Sequence, residues 1–90
     1  MSAINEGMPL SVTNGQIDPF LAKQKRGLFL IFGTGTLTLS YSLDGEHWDD
    51  DTKTYDIDNG AINIEADFVR YAYYKVTTTG AITSALIKYD

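Results

Sequence analysis

The stretch Gly33-Thr-Gly-Thr-Leu-Thr-Leu-Ser-Tyr-Ser-Leu-Asp-Gly-Glu-His-Trp48 decides the fold class of this chain. Apolar residues in it alternate with Thr and Ser, and this period of two predicts a half-buried β-strand. Asp44-Gly45 predicts the turn that follows, because Gly tolerates the positive φ of a tight hairpin. We expect Trp48 to act as a lid over one end of the core. The strand residues expected to face that core are Leu37, Leu39, Tyr41 and Leu43.

Length and composition predict one small domain. The chain has 90 residues and no cysteine, so neither disulfides nor thiolate metal sites can support the fold. Its formal charge is −5, with 12 acidic and 7 basic residues, which argues against nucleic acids and anionic membranes as partners. The basic cluster Lys23, Lys25 and Arg26 is interpreted as a solvated loop.

The first residues, Met1-Ser-Ala-Ile-Asn-Glu6, lack the basic and apolar regions of a signal peptide. No apolar run approaches the roughly 20 residues that cross a bilayer. We therefore expect a protein that is made in the cytoplasm without export. Residues 1–9 are predicted to form a polar arm, and residues 10–90 a single domain.

The rest of the chain consists of short apolar segments separated by Gly-centred turns. Asn14-Gly15 and Asn59-Gly60 predict hairpins, and Pro19 limits strand pairing around it. The apolar run Leu28–Phe32 predicts a strand that is covered on both faces. About seven or eight short strands without an amphipathic helix predict an all-β fold, an antiparallel β-sandwich of jelly-roll type.

The segment Phe68–Val76 cannot keep both of its cations outward on one regular strand. Alternation counted from Arg70 and alternation counted from Lys75 are out of phase, which predicts a β-bulge between Tyr73 and Tyr74. The alternative is a strand covered on both faces, with Arg70 paired or at an interface. The side chains that the bulge would turn inward are Val69, Tyr71, Tyr73, Tyr74 and Val76.

One possible catalytic set involves His47, the single histidine of the chain. Catalysis by a nucleophile needs a base that is oriented toward it, and Ser40 or Ser42 together with Asp44 could complete such a set. Both serines, however, belong to the Thr/Ser side of a strand, which is interpreted as a solvent-facing surface. We therefore predict a protein that is not an enzyme and has no catalytic residues.

The acidic residues suggest calcium, because Asp49, Asp50 and Asp51 are consecutive and Asp56-Ile-Asp58-Asn-Gly60 spaces two carboxylates before a Gly. The helical calcium loop has Gly sixth and Glu twelfth. Here Gly60 is fifth and Glu65 tenth, so that motif fails. A solvated acidic loop before an Asn-Gly hairpin is the preferred interpretation, and we predict neither a metal nor a cofactor. Less regular calcium sites of β-sandwich loops remain open.

Aromatic residues are the remaining candidates for function. Sugar-binding modules stack sugar rings on exposed aromatic side chains, whereas oligomer interfaces bury the same residue types as anchors. The sequence leaves core, interface and ligand roles open for them. The stacking candidates are Trp48, Tyr55 and Tyr73, and the interface candidates are Ile4, Met8, Phe20 and Tyr74.

Two resemblances follow from these motifs. The segment Tyr41-Ser-Leu-Asp-Gly-Glu-His-Trp48, with Phe68-Val-Arg70 after it, resembles β-sandwich jelly rolls such as discoidin-like and carbohydrate-binding domains. Over residues 28–89 the chain is more similar to small β-sandwich virion proteins of tailed bacteriophages. The segments that carry this second resemblance are Gly33–Gly45, Trp48, Ala66–Arg70 and Val76–Gly80.

The second resemblance implies a non-enzymatic structural protein of a phage particle. Its expected role is capsid decoration or stabilisation in many copies, with capsid or other virion proteins and further copies of itself as partners, and the virion as its location. The alternative is a carbohydrate-binding or host-receptor-recognition module. A sugar binder should expose an aromatic ring in a groove, whereas a virion protein should offer an apolar surface for an interface of roughly 1,000 Å² or more.

Overall fold

The computed structural model describes residues 7–89, without the side chains of residues 51–53. This part of the chain forms nine strands and no helix. They make two antiparallel sheets, so the prediction of an antiparallel β-sandwich is confirmed. The strands are β1 (Met8–Pro9), β2 (Val12–Thr13), β3 (Gln16–Leu21), β4 (Arg26–Gly33), β5 (Thr36–Ser42), β6 (Asp49–Asp56), β7 (Ala61–Asp67), β8 (Tyr73–Thr78) and β9 (Ile82–Tyr89).

The sheets have the strand orders β1-β9-β4-β7 and β2-β3-β8-β5-β6, and we call them the four-stranded and the five-stranded sheet. Their inner faces together supply the core, in which Phe68 packs edge-to-face on Phe29 and Tyr74 with centroid distances of 5.8 and 4.7 Å. The buried large apolar residues are Ile17, Phe29, Ile31, Leu37, Leu39, Ile64, Phe68, Tyr74, Val76, Ile82 and Ile87.

Two of the predicted hairpins are confirmed by backbone geometry. Asn14 and Gly15 have φ values of 53° and 77°, and Asn59 and Gly60 have 56° and 83°, the positive φ that these turns require. Pro19 lies where the pairing of β3 with β8 shifts register, between Ile17 and Phe20. The shift accommodates a residue that cannot donate a backbone hydrogen bond.

The connection after β5 differs from the predicted tight turn. β5 ends at Ser42 and β6 begins at Asp49, which leaves a six-residue loop, and Gly45 in it has φ 81°. Trp48 is half-buried, and its ring centroid lies 4.4 Å from Nζ of Lys75 on the outer face of the five-stranded sheet. The prediction that Trp48 closes the core is therefore wrong.

The alternation in β5 is confirmed only for its first half. Leu37 and Leu39 are buried, but Tyr41 at the end of the strand is 37% exposed and Leu43 in the loop 74% exposed. On the outer face Ser40 and Ser42 are each only 2% exposed, against the expectation of a solvent-facing surface. The loop that follows Ser42 folds back and hydrogen-bonds to its hydroxyl, as described below, and Ser40 bonds to Asp50.

The segment Phe68–Val76 resolves its phase conflict with a turn and not with a bulge. Residues 70–71 form a turn in which Tyr71 has φ 67°, and β8 begins only at Tyr73. Tyr73 and Tyr74 pair in unbroken register with β5, so the predicted bulge is wrong. Tyr74 and Val76 face inward as expected, whereas Val69, Tyr71 and Tyr73 are exposed.

The arm and the domain join within the four-stranded sheet. Residues 1–6, and with them the interface candidate Ile4, lie outside the described residues. Met8 and Pro9, the end of the predicted arm, form β1 and pair with Ile87 and Leu86 of β9. These two arm residues are therefore an edge strand of the sheet.

Candidate docking face

The outer face of the four-stranded sheet carries a row of apolar side chains. β4 runs between β9 and β7, and its Phe29 and Ile31 point into the core. Strand alternation then turns Leu28, Leu30 and Phe32 outward, and Leu28 and Phe32 are each 39% exposed. The prediction that the run Leu28–Phe32 is covered on both faces is therefore wrong for the described part of one chain.

Neighbouring strands extend this row. Directly paired residues of an antiparallel sheet share a face, so Leu86 of β9 lies beside Leu30 and Pro9 of β1 lies beside Leu86. Leu30 and Leu86 are half-buried, and Pro9 is exposed. Contiguous apolar surface of this kind marks interaction sites in soluble proteins. We call it the apolar face, and it consists of Pro9, Leu28, Leu30, Phe32 and Leu86.

Charged residues border the apolar face at one end. Leu28 pairs with Lys88 of β9 on one side and with Glu65 of β7 on the other, and both charged residues are exposed. Two residues further along β4, Arg26 and Asp67 are also paired, with 3.7 Å between Nε and Oδ1. The same end forms an open depression of about 450 Å³. Charges of opposite sign therefore flank the row of β4 side chains.

At the β5–β6 edge of the outer face of the five-stranded sheet, polar side chains bond to one another, whereas Leu21 and Tyr73 on the same face are 38% and 37% exposed. The hydroxyl of Ser40 donates to Oδ1 of Asp50 at 2.6 Å, and the hydroxyl of Thr36 donates to Oδ1 of Asp56 at 2.7 Å. Asp50 and Asp56 thus bind neighbouring hydroxyl groups of the sheet. Among the described residues, neither they nor Asp49 and Asp58 join a group of three possible metal ligands.

Asp44 organises the loop between β5 and β6. Its Oδ1 accepts hydrogen bonds from the backbone N–H groups of His47 and Glu46 at 2.9 and 2.8 Å, and from the hydroxyl of Ser42 at 2.9 Å. Its Oδ2 lies 2.6 Å from Nδ1 of His47. The backbone N–H groups of His47 and Glu46, and then the side chains of His47 and Ser42, hold the pKa of Asp44 far below its usual range.

The loop contains Ser, His and Asp, but not in the order of a catalytic relay. A nucleophilic serine needs a base that contacts its hydroxyl, and an acid that orients the base. Here Asp44 lies between the other two, and no hydrogen bond among the described residues joins Ser42 to His47. Ser42 is buried, and the side chain of His47 is 86% exposed. The arrangement fits a loop-ordering role.

Asp44, Glu46 and His47 also place possible metal-ligand atoms within 4.8 Å of one another. All three residues are exposed, and the Asp44 carboxylate already binds groups of its own loop. Exposed acidic groups of this kind are common without a metal. The cluster is explained by the loop structure alone.

The stacking candidates from the sequence do not form one site. Trp48 and Tyr73 lie on the outer face of the five-stranded sheet, where Tyr73 pairs with Ser42. Lys75 holds its ammonium group over the Trp48 ring, a cation–π contact that occupies one ring face. Tyr55 pairs with the buried Leu37 and packs against the core. It is therefore separated from the other two rings by the sheet.

The interface candidates are also divided. Tyr74 is 5% exposed, and its hydroxyl accepts a hydrogen bond from the backbone N–H of Val69, so it is a core residue and not available at the surface. Phe20 is half-buried, with its ring 6.0 Å from that of Phe29. Met8 is 42% exposed at the sheet edge. Sequence reasoning missed the apolar face, although the uninterrupted run at residues 28–32 was a signal for it.

Comparison with protein-family models, with curated proteins and with solved structures finds no match to this chain. Within the described residues 7–89 there is also no helix that is long and apolar enough to cross a membrane. The choice of a binding surface therefore rests on the geometry of the two outer faces.

Proposed function

We propose that this protein is a non-enzymatic structural component of a tailed-bacteriophage particle. In this role many copies bind the capsid or other virion proteins, and decorate or stabilise the particle through the apolar face. The resemblance of residues 28–89 to small phage virion proteins supports the choice of a phage particle. The apolar face supplies the means of attachment.

The observation that carries the proposal is the pair of exposed side chains Leu28 and Phe32 on a central strand. Apolar side chains at the centre of a sheet face are desolvated only when another surface covers the whole face. Burial contributes about 25 cal/mol per Å² of apolar surface, so covering this face stabilises an assembly. A small domain whose own core is limited gains stability from such association.

The proposal is tested on particles made by the strain that encodes this sequence. Purified particles should contain the chain in many copies, as measured by quantitative mass spectrometry. Particles that lack it should bind added wild-type protein, and Leu28→Ser and Phe32→Ser should weaken that binding at least tenfold, since each removes apolar contact area. The exposed substitution Thr54→Ser on the other sheet is the matched control. Absence of the chain from particles would contradict the proposal.

Glycan recognition is the second candidate, favoured by the exposed Tyr73 beside the loop that carries Trp48. The Lys75 ammonium group over the Trp48 ring works against stacking on that ring face. A glycan array that gives binding by wild-type protein, and loss of that binding in Tyr73→Ala, would favour this candidate. The Leu28→Ser variant should bind the same glycans normally in that case.

A further inference from the structure

We propose that the apolar face binds a second copy of this chain, in a dimer whose two-fold axis runs parallel to β4. This inference rests on the proposed function, because it names the partner that covers the same face in the free protein. A copy must leave this dimer before it binds a particle through that face. Its evidence is the distribution of charge and apolar surface on the four-stranded sheet.

The first step is the effect of such an axis on the strands. When two sheets pack face to face around an axis along β4, β4 lies opposite the partner's β4. The order β1-β9-β4-β7 then places β9 opposite the partner's β7. Leu28, Leu30 and Phe32 each face the same residue of the other copy, as an isologous interface requires. The three β4 side chains are thereby covered by their own counterparts.

The second step is the position of the charges. Lys88 and Glu65 both pair with Leu28, from opposite sides, so they stand at the same height along β4. The axis along β4 therefore brings Lys88 opposite the partner's Glu65, and Glu65 opposite the partner's Lys88. Two ion pairs form at the rim of the apolar row. Such pairs set the register and orientation of an interface more than its affinity.

The competing arrangement has its axis across the strands, and it pairs no charges. It places Leu28 opposite the partner's Phe32. The residues that pair with Phe32 on the neighbouring strands are Ser84 of β9 and Ala61 of β7. Lys88 then faces Ser84, and Glu65 faces Ala61. Each copy carries a formal charge of −5, so an arrangement that offsets repulsion by pairing Lys88 with Glu65 is favoured.

The area fits a reversible dimer. With the axis along β4, three strands of each copy overlap and β1 lies outside the contact. Three strands spaced about 4.8 Å apart, with about 3.3 Å per residue, present a face of roughly 14 Å by 26 Å. Two such faces in contact bury on the order of 750 Å², an area typical of weak and transient association. We expect dissociation in the micromolar range.

Charge reversal tests the proposal by sedimentation equilibrium. Lys88→Glu and Glu65→Lys each replace two attractions per dimer by two repulsions, and each should weaken dimerisation about tenfold or more. The double variant restores both pairs in reversed order, keeps the net charge at −5, and should recover the wild-type affinity. Lys23→Glu, which makes the same charge change in an exposed loop, is the matched control and should dimerise normally.

Cross-linking tests the axis directly. The chain has no cysteine, so a single introduced thiol can cross-link only to the same residue of another copy. With the axis along β4, Leu28→Cys should cross-link to its own counterpart through a short thiol-specific reagent. With the axis across the strands, the two thiols are about 13 Å apart, four residue spacings, and Leu28→Cys should react little. Gln24→Cys in the exposed connection before β4 is the control.

Three results would overturn the inference. Wild-type protein that stays monomeric up to about 1 mM excludes the dimer, since even weak association shows there. A double variant no better than the single ones excludes the proposed charge pairs. A Leu28→Cys variant that does not cross-link, at concentrations where sedimentation shows a dimer, excludes the axis along β4. A monomer that still decorates particles would leave the proposed function standing, and a dimer absent from particles would leave the dimer standing.

Discussion

The two outer faces of the sandwich differ in how their side chains are satisfied. On the five-stranded sheet, Ser40 and Ser42 are buried by groups of the same chain. Their hydroxyl groups donate hydrogen bonds to the carboxylates of Asp50 and Asp44. On the four-stranded sheet, the equivalent central strand offers Leu28 and Phe32 to solvent. A polar face can be completed locally by hydrogen bonds, whereas an apolar face of this width needs another surface. This contrast is the reason why we propose association through the four-stranded sheet.

The largest expected effect separates the two sides of β4. Phe29 is 1% exposed, and Phe32 is 39% exposed on the opposite side of the same strand. Phe29→Ala should lower the free energy of unfolding by about 3–5 kcal/mol through lost burial and a cavity. Phe32→Ala should cost about 1 kcal/mol or less in the monomer. Urea unfolding followed by Trp48 fluorescence measures both, because Trp48 is the single tryptophan.

If Phe29→Ala does not fold, Phe29→Leu replaces it in the comparison with Phe32→Ala. Phe29→Leu should lower the free energy of unfolding by about 1 kcal/mol. The measurement is made at dilution, below the concentration at which dimers form. Equal losses in Phe29→Ala and Phe32→Ala would mean that both sides of β4 are packed within one copy. The apolar face would then not be free for a partner.

A smaller loss of stability is expected when Ser42, on the outer face of the five-stranded sheet, is substituted. The hydroxyl of Ser42 donates to Asp44 and accepts from the backbone N–H groups of Asp44 and Gly45, the latter at 2.8 Å. Ser42→Ala leaves these groups without their partner, and should lower the free energy of unfolding by about 1–3 kcal/mol. Ser84→Ala, on the exposed surface of the four-stranded sheet, should change it by less than about 0.5 kcal/mol.

Thermal unfolding of the two serine variants, again at dilution, gives the comparison. Ser42→Thr is a useful addition, because it keeps the hydroxyl but must place a methyl group at a buried position. Similar small losses in Ser42→Ala and Ser84→Ala would show that the loop is held by other contacts. Ser42 would then be buried by packing of the loop and not because of its hydrogen bonds.

Much of the fold was readable in the sequence, because alternation and Asn-Gly turns are local signals. The predicted burial of Leu37 and Leu39 is confirmed, and so are the turns at Asn14-Gly15 and Asn59-Gly60. These features depend on a period of two and on backbone torsion preferences, which a sequence carries directly.

The wrong predictions concern features that depend on tertiary structure, which the alternation of apolar and polar residues does not encode. The size of Trp48 predicts a core residue, but the loop around Asp44 directs it to the outer face. Tyr71 adopts φ 67° although it is neither Gly nor Asn, so its residue type does not predict the turn. The run Leu28–Phe32 did predict coverage on both sides, and one copy supplies only one of them.

The smallest expected effect concerns the loop that covers the polar face, and it appears in a titration. The hydrogen bond to Asp44 and the charge of that carboxylate raise the pKa of His47 above its ordinary value of 6.5. A raised pKa in the folded state means that the pair stabilises the loop fully below about pH 6.5 and loses this contribution as the pH rises through the folded value. For Asp44, whose pKa is lowered, the contribution is present above its ordinary value of 3.8 and is lost only in stronger acid.

Nuclear magnetic resonance of the His47 ring protons measures the first of these shifts, and the assignment is simple because the chain has one histidine. Wild-type His47 should titrate above pH 6.5, and Asp44→Asn should return it close to that value. Asp58→Asn removes the same charge from an exposed residue elsewhere and should leave the titration unchanged. A wild-type pKa at or below 6.5, or one that Asp44→Asn does not move, would mean that Asp44 does not hold the His47 ring in solution. Since the shift depends on a contact within one chain, it should be the same in monomer and dimer, unlike every effect expected at Lys88 and Glu65.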